Sequence, residues 1–191
     1  MDYLSLTKIL YYLAMFIWVI PPIRQYRKQL FLFFLILALP DPINLLFLYL
    51  LKINTTFFLF PSACYLLIVS LLKRSTIIKN WILIIVIWIL VLTLNLLSKN
   101  NSIFLSTVII FNLITVLILL KNFIVTYVDN RKMNLFLVVI IFYFCTSILK
   151  FFNILIGFAD ATAFFIITSI AQIIFGLFFS IFREDDPRLM V

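Results

Sequence analysis

The stretch LFLFFLILALPDPINLLFLYLL, residues 30–51, decides the fold. It is long enough to cross hydrocarbon about 30 Å thick as a helix rising 1.5 Å per residue. Its only charged side chain, Asp41, stands in the middle between Pro40 and Pro42. Water does not select such a run, and lipid does. Each proline removes a backbone donor and crowds the preceding turn, so the reading predicts a spanning helix kinked or interrupted at its centre.

Working outward, similar runs fill the chain. Apolar stretches between charged or turn-rich breaks predict seven spans, at 4–21, 30–51, 56–72, 81–97, 103–121, 134–150 and 160–182. The breaks are short, so successive helices should be antiparallel neighbours in a compact all-α bundle, a single polytopic domain over 1–191. Composition agrees: 66% of residues are hydrophobic and 12% charged, whereas soluble domains are about half apolar and a quarter charged. Asp2 precedes the first cation, Lys8, and no small-residue cleavage site follows, so the first segment is expected to remain as a span rather than be removed as a signal peptide.

The cations orient the bundle. Arg24, Arg27, Lys28, Lys73, Arg74, Lys79, Lys121, Arg131, Lys132, Arg183 and Arg188 fall on one side, against Lys8, Lys52, Lys99 and Lys150 on the other. Lysine and arginine are retained in the cytoplasm, which places the N-terminus outside and the C-terminus inside. The formal net charge of +8 then reflects juxtamembrane collars facing anionic lipid, and no nucleic acid partner is expected. Tyr3, Tyr11, Tyr12, Trp18, Tyr26, Trp81 and Tyr127 read as interfacial anchors near span ends.

Absences narrow the chemistry. The chain has no histidine, two glycines and two cysteines, Cys64 and Cys145, in separate apolar segments. Histidine bases, histidine metal sites, Gly-rich phosphate loops and disulfide frameworks are thereby excluded. No catalytic residue, metal site or cofactor is expected, and the chain reads as a non-enzyme. A retinal-type photoreceptor fails because the last span contains no lysine for a Schiff base. A repeat-built sugar porter is disfavoured because Pro21, Pro22, Pro40, Pro42 and Pro61 all lie in the first half.

Polar residues at membrane depth are costly and tend to face the bundle interior. Asp41, Asn44, Asn112 and Gln172 form the candidate ligand or proton site, with Pro40, Pro42 and Pro61 as helix breaks and Pro61 bending span three. Asn95, Ser62, Thr146 and Ser147 lie toward the outer half, and a cavity on that side would unite them. Hydrogen-bonding glue between helices is the competing account, and it is preferred for the amides and hydroxyls. For Asp41 two readings stay open: an N-cap that restarts the helix, or a ligand or proton group. Asp160, ahead of ATAFF, reads as the N-cap of the last span.

The stretch WVIPPIRQYRKQLFLFFLILALPDPINLL, residues 18–46, resembles an uncharacterised family of small bacterial seven-span membrane proteins linked to two-component signalling. The resemblance implies a sensory or accessory role in a bacterial cytoplasmic membrane. The tail REDDPRLMV is too short for an effector domain, so output would pass to a membrane or cytoplasmic partner protein. The expected function is therefore a membrane sensor or accessory subunit with an unidentified small-molecule ligand. The alternative is a small transporter or ion pathway using Asp41.

Overall fold

The computed structural model describes the backbone of residues 3–98 and 100–191, and side chains from residue 6 onward except Lys99. Asp2, Lys99 and the side chain of Tyr3 lie outside the described residues. The protein is helical over 83% of its length and has no strands among the described residues. Among the described residues ten α-helices follow in order: α1 Tyr3–Trp18, α2 Ile20–Arg24, α3 Phe31–Ala38, α4 Pro40–Leu51, α5 Thr56–Ser70, α6 Arg74–Lys79, α7 Trp81–Ser98, α8 Asn101–Asn130, α9 Leu135–Ile156 and α10 Ala161–Ile181.

Six helical stretches are long and apolar enough to cross a membrane, two of them formed by the α1–α2 and α3–α4 pairs. The span expected at 56–72 is instead the shorter α5, of 15 residues. Such a helix is only about 23 Å long. It continues through the buried Pro61 and ends where Leu71 and Leu72 turn back to the carbonyls of Ile68 and Val69. The surface is aliphatic: Ile82, Leu83, Val86, Leu90, Leu94 and Leu97 of α7 are all exposed, as lipid contact requires. These features are consistent with a multi-pass integral membrane protein.

Two expected boundaries move, for one reason. The segment after Lys121 was expected to be a loop, yet α8 runs on to Asn130; the span expected to stop at Lys150 continues to Ile156. A charge ends a hydrocarbon-compatible run, but it does not end a helix. Helices commonly stop where a residue adopts positive φ. Here the stops are Arg131 at φ 50° and Gly157 at φ 71°.

The expected break at Pro40–Asp41–Pro42 is present. Helix α3 ends at Ala38, Leu39 is the junction, and α4 restarts on Pro40, where a missing N–H is harmless. Around it α1, α10, α9, α8, α5 and α3 pack in a ring, with α7 outside against α5. The Tyr65 hydroxyl fastens α7 by donating to the Ile84 carbonyl at 2.8 Å. The core is aromatic: Phe33, Phe34, Phe136, Phe144 and Phe179 are almost fully buried, with Trp18 and Tyr143 beside them.

The C-terminal segment is not a free tail. It folds back over the bundle end that carries Arg24, Lys28, Arg131 and Lys132. Gln25, completely buried, donates from Nε2 to the Phe182 carbonyl at 2.9 Å and accepts from the Glu184 N–H at 3.2 Å. Glu184 accepts from the N–H groups of Gln29 and Leu30 at 2.7 and 2.9 Å, capping α3, whose own N-cap residue is Leu30. Val191 and Met133 exchange main-chain hydrogen bonds, and Leu189 is buried in the aromatic core. The outer pairs, Lys28–Asp185 and Arg188–Asp186, are exposed enough that each adds little, and the hydrogen bonds of the buried Gln25 and the half-buried Glu184 carry the docking. The hydrogen bond from Lys28 lowers the Asp185 pKa, and that from Arg188 holds Asp186 at about 2. Because both values are depressed, the pairs contribute throughout the neutral range. They are lost only as pH falls below the ordinary carboxylate value and through the lowered ones.

Candidate functional site

The Pro40–Asp41–Pro42 junction faces the middle of the ring. Asp41 sits in the first turn of α4, where a helix N-terminus favours negative charge. It is not the N-cap. The junction residue is Leu39, no side chain caps α4, and Asp41 Oδ1 instead accepts a hydrogen bond from the Tyr11 hydroxyl of α1 at 3.1 Å. The cap reading is thereby corrected: with prolines at the start of the helix, few N–H groups are left to cap.

Asp41 lines a cavity of about 260 Å³ enclosed by α1, α3, α4, α5, α8, α9 and α10. Asn112 of α8 and Gln172 of α10 line it too, so the structure brings together three of the four candidate residues. Asn112, 4% exposed, also meets the Cys64 thiol across the α5–α8 contact at 3.9 Å. Gln172 accepts from the Trp18 indole through its main-chain carbonyl at 3.1 Å and is one of the residues that line the cavity.

Asn44 does not join them. Its Oδ1 accepts from the Thr55 N–H and hydroxyl at 3.2 and 2.9 Å, tying the α4–α5 connection. Ser62 and Thr146 bond to the carbonyls of Phe58 and Tyr143 on their own helices, so they are local caps and not interhelical glue. Asn95 is buried on α7, outside the ring, and donates to the Val91 carbonyl. Ser147 does reach the cavity. Asp160 caps α10 as expected, accepting from the Ala163 N–H at 2.7 Å.

Three cavity residues had been assigned elsewhere. Lys150, expected as the last residue of the span at 134–150, lies within α9 and lines the cavity with its ammonium 4.7 Å from the Phe165 ring centre. Tyr11 and Trp18, expected as interfacial anchors, are Asp41's partner and part of the cavity wall. The spacing Tyr143, Ser147, Lys150 is a helical face, which is the signal that joins Lys150 to the site.

Lys150 also borders a neighbouring space. This second space of about 660 Å³, lined by Thr7, Lys8, Asn153 and Thr162 among others, shares Tyr11, Lys150 and Phe165 with the cavity. This vestibule lies at the cation-poor end of the bundle. Toward the opposite end the cavity meets Trp18, Leu67, Tyr143 and Phe144, and behind these stand the aromatic core and the docked tail. The site is thus a largely apolar chamber with a few polar side chains, a vestibule at one end and a hydrophobic floor at the other. Comparison with family models, with curated proteins and with solved structures finds no match to this chain.

Proposed function

We propose that the protein is a non-enzymatic membrane receptor, a sensor or an accessory subunit of a signalling assembly, that holds a small polar solute in the Asp41 chamber. The observation that carries this reading is the convergence of Asp41, Lys150, Asn112 and Gln172 on one chamber that shares Tyr11, Lys150 and Phe165 with a neighbouring vestibule. Groups of this kind are expensive in hydrocarbon and are retained where they meet a ligand, an ion or one another. At about 260 Å³ the chamber lies below the range of roughly 300–1,000 Å³ for drug-sized ligands, which favours a solute of few atoms.

The same reading places the vestibule outside and the tail in the cytoplasm. In support, the first loop, the α8–α9 connection and the tail meet at one end through Gln25, Met133 and Glu184, and that end carries most of the cations. Seven crossings then require α5 to cross as a short helix inside the ring. Occupancy of the chamber would be read out through α10, which carries Gln172 at one level and continues into the docked tail. Transport through Asp41 is the second reading, and it would require the aromatic floor to open. The bacterial cytoplasmic membrane is the host membrane that composition and the cation bias suggest.

The test is purification from the host in mild detergent, followed by mass spectrometry of what denaturation releases. A small polar molecule should come from the wild type and not from Asp41→Asn. Equal recovery from both proteins would remove the chamber from the account.

A further inference from the structure

We infer that the solute is zwitterionic, carrying a cationic and an anionic group that bridge Asp41 and Lys150; this rests on the receptor reading above. Both residues line one chamber, Asp41 from α4 and Lys150 from α9. Each senses the other's charge, yet no ion pair within 4.0 Å joins them. The chamber they both line is where a guest would meet them.

Both groups hold unspent hydrogen-bonding capacity. Asp41 receives one hydrogen bond, from Tyr11 to Oδ1, whereas a carboxylate offers about four acceptor positions. Lys150 has three donors; its recorded partner is the face of Phe165, which takes none of them conventionally, and it makes no hydrogen bond to the protein among the described residues. Tyr11, Lys150 and Phe165 also form the boundary shared with the vestibule, so a solute entering there would meet Lys150 first and Asp41 inside the chamber.

Charge balance selects the guest. An amine alone would pair with Asp41 and be repelled by Lys150, and a carboxylate alone would face the reverse. In a site shielded from water such repulsion is far stronger than in bulk solvent. A molecule with both groups satisfies both walls and adds no net charge to a membrane-embedded site. Asn112 and Gln172 add amide donors and acceptors, and the apolar part of the wall, from Ala14, Met15 and Ala63, accommodates a short carbon chain.

The experiment uses the purified full-length chain, reading thermal stability and tryptophan fluorescence, since Trp18 lines the chamber. The probes are glycine, β-alanine and 4-aminobutanoate as zwitterions of increasing charge separation, with propylamine and propionate as single-charge controls. At least one zwitterion should bind about tenfold or more tighter than either control. Lys150→Gln should invert the preference toward propylamine, and Asp41→Asn toward propionate. Propylamine or propionate binding the wild type as tightly as any zwitterion would overturn the zwitterion assignment while leaving a receptor standing. Failure of all five to bind would overturn both. The wild-type comparison needs no variant, so poor folding of either substitution does not spoil it. Zwitterionic lipid head groups share this chemistry. Nanodiscs of anionic lipid, with and without added phosphatidylethanolamine, separate a head group from a free solute: a lipid-dependent stability gain lost in Asp41→Asn identifies the former.

Discussion

Gly176→Leu should abolish most of the folded, detergent-resistant protein, the largest loss expected of any single substitution in the helices. A Cβ built at Gly176 would lie 2.7 Å from Ile17 Cγ2 and 3.2 Å from Trp18 Nε1. Small residues let helices in lipid approach closely, and here α1 and α10 use that approach to place the Trp18 indole on the Gln172 carbonyl. Gly176→Ala already meets Ile17, a branched side chain in a packed interface, and should cost about 1–3 kcal/mol by overpacking. The leucine variant adds bulk that α1 has no room to absorb. Gly157→Ala is the control. Nothing lies within 4 Å of its Cβ position, so only the strain of φ 71° remains, on the order of 1–2 kcal/mol. Size-exclusion chromatography of a tagged protein before and after heating measures all three. Wild-type behaviour of Gly176→Leu would show that the α1–α10 contact is looser than described.

Asp41 should separate folding from function. Asn retains an Oδ1 that can accept the Tyr11 hydroxyl, so Asp41→Asn should fold with stability close to wild type. It removes the charge, however, and binding of the best zwitterionic probe should fall about tenfold or more. Asp41→Leu leaves the Tyr11 hydroxyl without its partner, which costs about 1–3 kcal/mol, and should lower both stability and binding. Measuring the melting temperature and probe affinity of both variants distinguishes a charge that recognises a ligand from one that serves only as an anchor. Full binding by Asp41→Leu would sink both roles.

Much of this site can be read from the sequence, because polar residues in apolar helices are few and must converge. Asp41, Asn112 and Gln172 stand out on that ground alone, and they do share a chamber. Asn44 is misplaced by the same logic. It lies one turn from Asp41 on the same helix, but a nearby Thr55 satisfies its carbonyl oxygen, and no periodicity reveals that. Lys150 escapes because a cation in an apolar chain is read as the end of a span. FFNILI after it is as greasy as what comes before, and the first true helix stop is Gly157. Tyr11 and Trp18 escape because aromatic residues near span ends serve as anchors more often than as partners. The tail's docking leaves a fainter trace. The acidic EDD at 184–186 answers the basic RQYRKQ at 24–29, but charge complementarity across the chain's full length names no contact. What carries the docking, the buried Gln25 side chain, bears no charge at all.

The central claim is that the Asp41 chamber is reached from the face opposite the cation-rich end. It is tested most directly by thiol accessibility at Met15, a half-buried chamber residue one turn deeper than Tyr11. With Cys64 and Cys145 replaced by alanine, single cysteines are placed at Met15, at Ile53 in the α4–α5 connection and at Ser75 in α6. A small membrane-impermeant thiol reagent is then applied to intact cells and to inside-out vesicles. The account gives reaction of Met15→Cys and Ile53→Cys in intact cells, slower at Met15, with Ser75→Cys reacting only in inside-out vesicles. Reaction of Met15→Cys only in inside-out vesicles, together with Ser75→Cys, would contradict it.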